Sequence, residues 1–195
     1  MTAKVTVFED QEKFNSLHPL QHEWVLWYDS PNKRINSQNW SQNLKEVVEI
    51  STVEEFWGVI NNVVSAIEIP FGANFHLFKK GIKPMWEDPA NAHGGKWSFN
   101  FGRTRGDNIN EVWINTLLGA IGETFEDHDN ICGLVFSNRR VMFKIGLWVK
   151  SNDDKVKNKE TGAHFKRLLG LGENDSLEYQ PHDGGHGDNS QKLVV

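Results

Sequence analysis

Hydrophobic residues in this chain recur at two periods, and the switch between them outlines its elements. In Lys96-Trp97-Ser98-Phe99-Asn100-Phe101 aromatics alternate with polar residues, so the three rings fall on one face of a strand. From Val141 to Val149 the odd positions, Val141, Phe143, Ile145, Leu147 and Val149, are all apolar. The even positions place Met142, Lys144, Gly146 and Trp148 together on the opposite face. Glu23–Tyr28, Glu46–Ile50, Asn74–Phe78 and Cys132–Ser137 read as further strands, with a weaker one at Leu177–Gln180.

Three stretches take the helical period instead. The first opens at Thr52, with Glu55 at capping-box spacing, and carries the stripe Phe56, Ile60, Val63 and Ile67 before Pro70. The second runs from about Asn110 to Glu123 with the stripe Trp113, Leu117, Ala120 and Thr124. The third spans Gly162–Leu169, with Phe165, Leu168 and Leu169, and stops at Gly170. Strands and helices interleave without a regular βαβ beat. That predicts an α+β fold in which a mainly antiparallel sheet is covered by helices on one face, the other staying partly polar and open.

No repeat or long linker divides the chain, and 195 residues suit one domain with a single core. Residues 1–17, with Glu9, Asp10 and Glu12, read as a flexible arm. Residues 18–180 form the folded domain. Residues 181–195 read as a flexible tail, apart from the apolar end Leu193-Val194-Val195.

Charge and composition then exclude function classes. A net charge of −5 argues against coating long nucleic acid by charge alone. The single cysteine, Cys132, excludes an internal disulfide, fits a reducing compartment, and sits in an apolar run as a buried thiol. No stretch is apolar and long enough for a signal peptide or a membrane span, so a cytosolic or nuclear protein without a membrane partner is expected. Glycine-rich phosphate loops, GxSxG, HExxH and cysteine pairs are all missing, so no catalytic residue, metal or cofactor is assigned. His182 and His186, with Asp183 and Asp188, read as solvated tail residues rather than a metal site.

What remains is a surplus of eight tryptophans. Trp86-Glu87-Asp88 is suited to a flat cation that carries hydrogen-bond donors: the ring face attracts the charge and the carboxylate accepts two N–H bonds. Trp40 and Trp86 both lie in polar, loop-like sequence, where a tryptophan either anchors its loop to the core or meets a ligand. Between Ser137 and Lys159 the basic residues Arg139, Arg140, Lys144, Lys150, Lys155, Lys157 and Lys159 face only Asp153 and Asp154. Lys144, within an apolar strand, points to an anion site, whereas Lys155 to Lys159 reads as a solvated run. On the helix flanks, Val53 with Trp57 and Ile114 with Leu118 form apolar i,i+4 pairs. They either glue the two helices together or receive a partner's helix.

His18-Pro19-Leu20 followed by Trp24-Val25-Leu26-Trp27-Tyr28 resembles the start of the eukaryotic translation initiation factor 4E family, which binds the messenger-RNA cap. Thr52-Val53-Glu54-Glu55-Phe56-Trp57, Pro84-Met85-Trp86-Glu87-Asp88, Gly94-Gly95-Lys96-Trp97, Leu117-Leu118 with Ile121-Gly122-Glu123, and Lys144 through Trp148 continue the likeness in order and spacing. The resemblance covers residues 18–180 and implies a curved, mainly antiparallel sheet of about eight strands with three helices on its convex face. It further implies that Trp40 and Trp86 sandwich 7-methylguanine and that Glu87 accepts the two N–H donors of the base. Trp148 would meet the methyl group, and Arg139, Lys144 and Lys96 the triphosphate. On the convex side it assigns His18, Pro19, Leu20, Val53, Trp57, Ile114 and Leu118 to the surface for scaffold factor 4G and 4E-binding repressors, whose segment is a Tyr-x-x-x-x-Leu-apolar helix. A chain that is monomeric on its own, without cofactor, is expected.

Four positions depart from the pattern: Lys96 stands where many members have Arg, Asn74 and Asn115 where acids are common, and Arg139-Arg140 is a doublet of which Arg139 matches. Two rival readings stay open. One is a repressor of the same type that binds caps without productive scaffold recruitment. The other is an enzyme hydrolysing capped or free nucleotides, which would need a metal or acid–base cluster that the sequence does not show.

Overall fold

The computed structural model describes residues 16–30, 43–105, 108–182 and 193–195. Seven strands build one curved sheet: β1 (Pro19–Asp29), β2 (Lys45–Thr52), β3 (Asn74–Lys79), β4 (Gly95–Gly102), β5 (Ile131–Asn138), β6 (Met142–Val149) and β7 (Glu178–Pro181). They lie in the order β2-β1-β3-β5-β6-β4-β7, and every neighbouring pair is antiparallel. Three helices, α1 (Val53–Asn62), α2 (Ile109–Ile121) and α3 (Lys155–Leu168), complete the expected α+β architecture.

The alternation seen in the sequence becomes two chemically opposite faces because directly paired residues point the same way. One row across five strands reads Leu26, Leu77, Leu134, Leu147, Trp97, and the next reads Tyr28, Phe75, Phe136, Ile145, Phe99. Against these rows the helices seat Phe56, Trp113, Leu117 and Phe165, all buried in one continuous core. Trp113 meets Phe136 at 5.5 Å between ring centroids. Gly162 allows α3 to lie directly on the sheet, since a Cβ there would come within 2.7 Å of the Trp97 ring. The Trp97 indole N–H then donates to Asn158 Oδ1 at 2.8 Å.

Two of the helix starts, those of α1 and α3, are capped by side chains. Thr52 caps α1 through the Glu55 amide at 3.1 Å, and the Glu55 carboxylate accepts from the Thr52 amide at 3.2 Å. The helix ends sooner than its stripe suggests. Val63 is extended, and Ser65 with Glu68 caps a separate 3-10 turn over Ala66–Glu68, leaving Ile67 exposed rather than in the core.

Helix α3 starts seven residues earlier than expected; Lys155, Lys157 and Lys159 are solvent-exposed, as read from the sequence, but on a helix. Cations suit a helix N-terminus poorly. Here the Asp154 side chain accepts from the Val156 and Lys157 amides at 3.1 Å, and the buried Asn158–Trp97 bond holds the first turn to the sheet.

Two further expectations are corrected. Val141 lies outside β6 in an exposed turn, which the Arg139 amide closes onto the Met142 carbonyl at 2.9 Å. The last residues are tied to the fold: Tyr179 donates to Leu193 at 3.0 Å, and Leu177 and Val195 exchange bonds at 2.9 and 3.1 Å. The folded unit therefore includes 181–182 and 193–195. Among the described residues no helix is long and apolar enough to cross a membrane.

Candidate functional site

The face opposite the helices carries three rows of paired residues. They read Asp29, Asn74, Ser137, Lys144, Asn100; then Trp27, His76, Val135, Gly146, Ser98; then Val25, Phe78, Gly133, Trp148, Lys96. Lys144 and Lys96 thus project from the same side as Trp148, with Lys96 directly opposite it in register. Among the described residues no carboxylate lies within ion-pair reach of either lysine. Burial lowers the pKa of Lys96, and the Lys144 charge lowers it further. Burial likewise lowers that of Lys144, aided by the Arg139 charge. Arg139, Lys144 and Lys96 form a half-buried row of cations whose mutual repulsion an anion would relieve.

Trp148 is held from two sides. Phe78 meets it edge-on at 5.5 Å, and the His182 ring lies 4.2 Å from it. Phe78 can lean across β5 because Gly133 has no side chain; a Cβ there would fall 2.4 Å from the Phe78 ring. His182 Nδ1 sits 2.9 Å from the Asn91 carbonyl, and its backbone amide donates to Gly94 at 3.0 Å. His182 is therefore packed against the site and is not a solvated tail residue. His186, Asp183 and Asp188 lie outside the described residues.

The contact with Asn91 links Trp148 to the segment bearing Trp86. Asp88 accepts from the Lys83 and Ala90 amides, both at 2.9 Å, and the buried Asn91 amide donates to the Lys83 and Met85 carbonyls at 2.8 and 2.7 Å. Pro84 is buried, and Cys132 Sγ donates to the Ala90 carbonyl at 3.6 Å. With those residues as anchors, Trp86 is left 56% exposed and Glu87 is exposed beside it. A tryptophan that anchored its loop would be buried, so Trp86 is presented to solvent on a pinned turn. Trp40 lies outside the described residues.

Arg139 is fixed by its own neighbours. Its guanidinium donates to the Asn74 side-chain oxygen at 2.8 Å and to the Ala73 and Asn138 carbonyls at 3.3 and 3.1 Å. Arg103 supports the same turn, bonding Asn138 Oδ1 at 2.5 Å and the Arg139 carbonyl while lying 3.9 Å over the Phe143 ring. Phe78, Asn91, Arg103 and Asp29 are given no site role by the sequence, and Asp88 none as the anchor of its turn. Asp88, a turn former before Pro89, carried a local signal; Phe78 and Asp29 acquire their roles through strand register, and Asn91 and Arg103 through the turns they tie.

On the helix side, Val53 and Trp57 are 36% and 39% exposed, and Ile114 and Leu118 are half-buried. An apolar cavity of about 100 Å³ lies between α1, α2 and the sheet, lined by Ile50, Phe56, Ile60, Leu77, Trp113 and Ile114 among others. His18 and Pro19 are exposed and Leu20 packs at the core edge. The His18 amide and ring reach the Glu54 carboxylate at 2.9 and 2.6 Å, and the Val53 amide donates to the His18 carbonyl at 2.9 Å. Those His18 bonds, the backbone one first, hold Glu54 down at about 2 from its ordinary 4.5. The stitch is complete above pH 4.5 and is lost as pH falls through about 2. His18 is thus tied to the start of α1 beside Val53, while Ile114 and Leu118 lie on α2.

The family model described as eukaryotic initiation factor 4E matches residues 19–194. Eukaryotic translation initiation factor 4E of Saccharomyces cerevisiae is 42% identical over 191 residues, covering 97% of this chain and 88% of that protein. The complex of Ascaris suum eIF4E-3 with an m2,2,7G cap superposes with a TM-score of 0.85 at 33% identity, covering 92% of this chain and 99% of that one. The complex of C. elegans eIF4E-3 with the 4E-binding protein Mextli and a cap analog gives 0.83 at 32% identity, covering 91% and 100%.

Proposed function

The chain belongs to the eukaryotic initiation factor 4E family, and from that membership we propose that it binds the 7-methylguanosine cap of messenger RNA on its open sheet face and an initiation partner on its helix face. The observation that carries the reading is a solvent-presented Trp86–Glu87 pair on a pinned turn, linked through Asn91 and His182 to Trp148 and the row Lys96, Lys144, Arg139. Methylated guanine is a delocalised cation. Stacking between Trp86 and Trp40 would add cation–π attraction to dispersion, and Glu87 would accept the two N–H donors of the base edge. Trp148 would meet the methyl group, and the three cations the triphosphate. The two nematode complexes, one with a cap and one with a cap analog and a 4E-binding protein, support both halves of this reading.

The partner on the Val53, Trp57, Ile114 and Leu118 surface would be an amphipathic helix, supplied by scaffold factor 4G or by a 4E-binding repressor. The proposed role is binding without catalysis, in the cytosol or nucleus, and a product formed on incubation with capped RNA would overturn it. The direct test is tryptophan-fluorescence titration with 7-methyl-GTP and with GTP. Trp86→Ala should weaken binding of the methylated nucleotide by about 1–3 kcal/mol, and Glu87→Gln by about the same, about 1.5–3 kcal/mol. Equal affinity for the two nucleotides would sink the cation–π account.

A further inference from the structure

We infer that Asn74 and Asp29 are positioning residues that set the Arg139 guanidinium for an anion, an inference that rests on the cap-binding reading of the open face. Two sheet residues and Arg139, in the turn after β5, carry the connection. Arg139 donates from Nη2 to Asn74 Oδ1 at 2.8 Å, and Asn74 Nδ2 donates to both Asp29 oxygens at 2.7 and 3.0 Å. Asp29 is buried and also meets His76 Nε2 at 2.7 Å. Asp29 and Asn74 are direct cross-strand partners on β1 and β3, so the relay is built into the sheet register.

The chemistry of the amide makes this relay directional. Its oxygen faces a guanidinium and its nitrogen a carboxylate, so a flip would set N–H against N–H and O against O. Both ends therefore fix one orientation of Asn74, and that orientation fixes one corner of Arg139. The carboxylate polarises the amide and strengthens its oxygen as an acceptor. It does so from one residue away, so the nearest acceptor on Arg139 is neutral. A carboxylate in direct contact would neutralise the guanidinium and compete with a phosphate for it. With Nη1 held by the Ala73 and Asn138 carbonyls, the fork is presented ready-made, and little side-chain entropy is left to lose on binding.

The test compares 7-methyl-GTP with the 7-methylguanosine nucleoside, because a group acting through Arg139 changes the first affinity and not the second. Asn74→Ala should lower the triphosphate-to-nucleoside affinity ratio about five- to tenfold. The isosteric Asp29→Asn should lower it in the same sense but less, and carries the test if Asn74→Ala fails to fold. In an Arg139→Ala background both effects should vanish, since the relay then has nothing to hold. An unchanged ratio in the folded variants, or a loss that persists without Arg139, would overturn the inference. Failure of the cap-binding reading itself would look different, as a wild-type protein that does not distinguish 7-methyl-GTP from GTP.

Discussion

Lys96 and Lys144 place ammonium groups where water is partly excluded and no described carboxylate compensates them, and burial lowers both pKa values. In the free protein this is a cost at neutral pH that is relieved as pH rises and the protons leave. A bound phosphate chain interacts with the charged forms, so its affinity should fall as pH rises, beginning below the ordinary lysine value of 10.5. Lys96→Arg, which stays charged, should move that fall to higher pH; an unchanged profile of 7-methyl-GTP affinity against pH would remove Lys96 from the anion site. Cys132 shows the opposite use of burial, which pushes its thiol up to about 12. It should resist alkylation at neutral pH in the folded protein, as a mass-spectrometric time course would record. Such residues were legible as types, a lysine in an apolar strand or a cysteine in an apolar run. Their environments were not, because desolvation is set by neighbours distant in sequence.

Gly133 shows how an element, rather than a residue, builds the site. β5 runs between β3 and β6, and only a glycine at this position lets the Phe78 ring cross to the Trp148 edge. Gly133→Ala should force Phe78 aside. It should lower the melting temperature and also the preference for 7-methyl-GTP over GTP, whereas an effect on stability alone would detach Phe78 from the pocket. The start of α1 was readable because Thr52 and Glu55 stand at capping-box spacing, whereas that of α3 was not, although Asp154 caps it. Ends were less readable. The α1 stripe appeared to continue to Ile67, but Ser65 and Glu68 cap a new turn there. The first turns of α3 looked like a charge run, because the contact that holds them, Asn158 to Trp97, joins residues 61 positions apart.

Across the whole molecule the sheet separates two surfaces, cations and Trp148 on one side and Val53, Trp57, Ile114 and Leu118 on the other. Trp57→Ala should therefore abolish binding of an amphipathic partner peptide while leaving 7-methyl-GTP affinity within about twofold, since distant sites act additively. A parallel loss of both would mean the fold had been damaged. Period-two and period-3.6 patterning by itself determined the class of fold, the strands and the two-faced sheet, because burying apolar side chains on one side is a local property of spacing. The same sequence likewise placed Trp86 beside Glu87. Tertiary structure alone decided which tryptophans are core and which are presented. It also decided that His182 packs on Trp148, that residues 193–195 return to the sheet edge, and that Asn74 couples Asp29 to Arg139. Each of these depends on contacts between segments far apart in the chain, which only the packing of the whole molecule brings together.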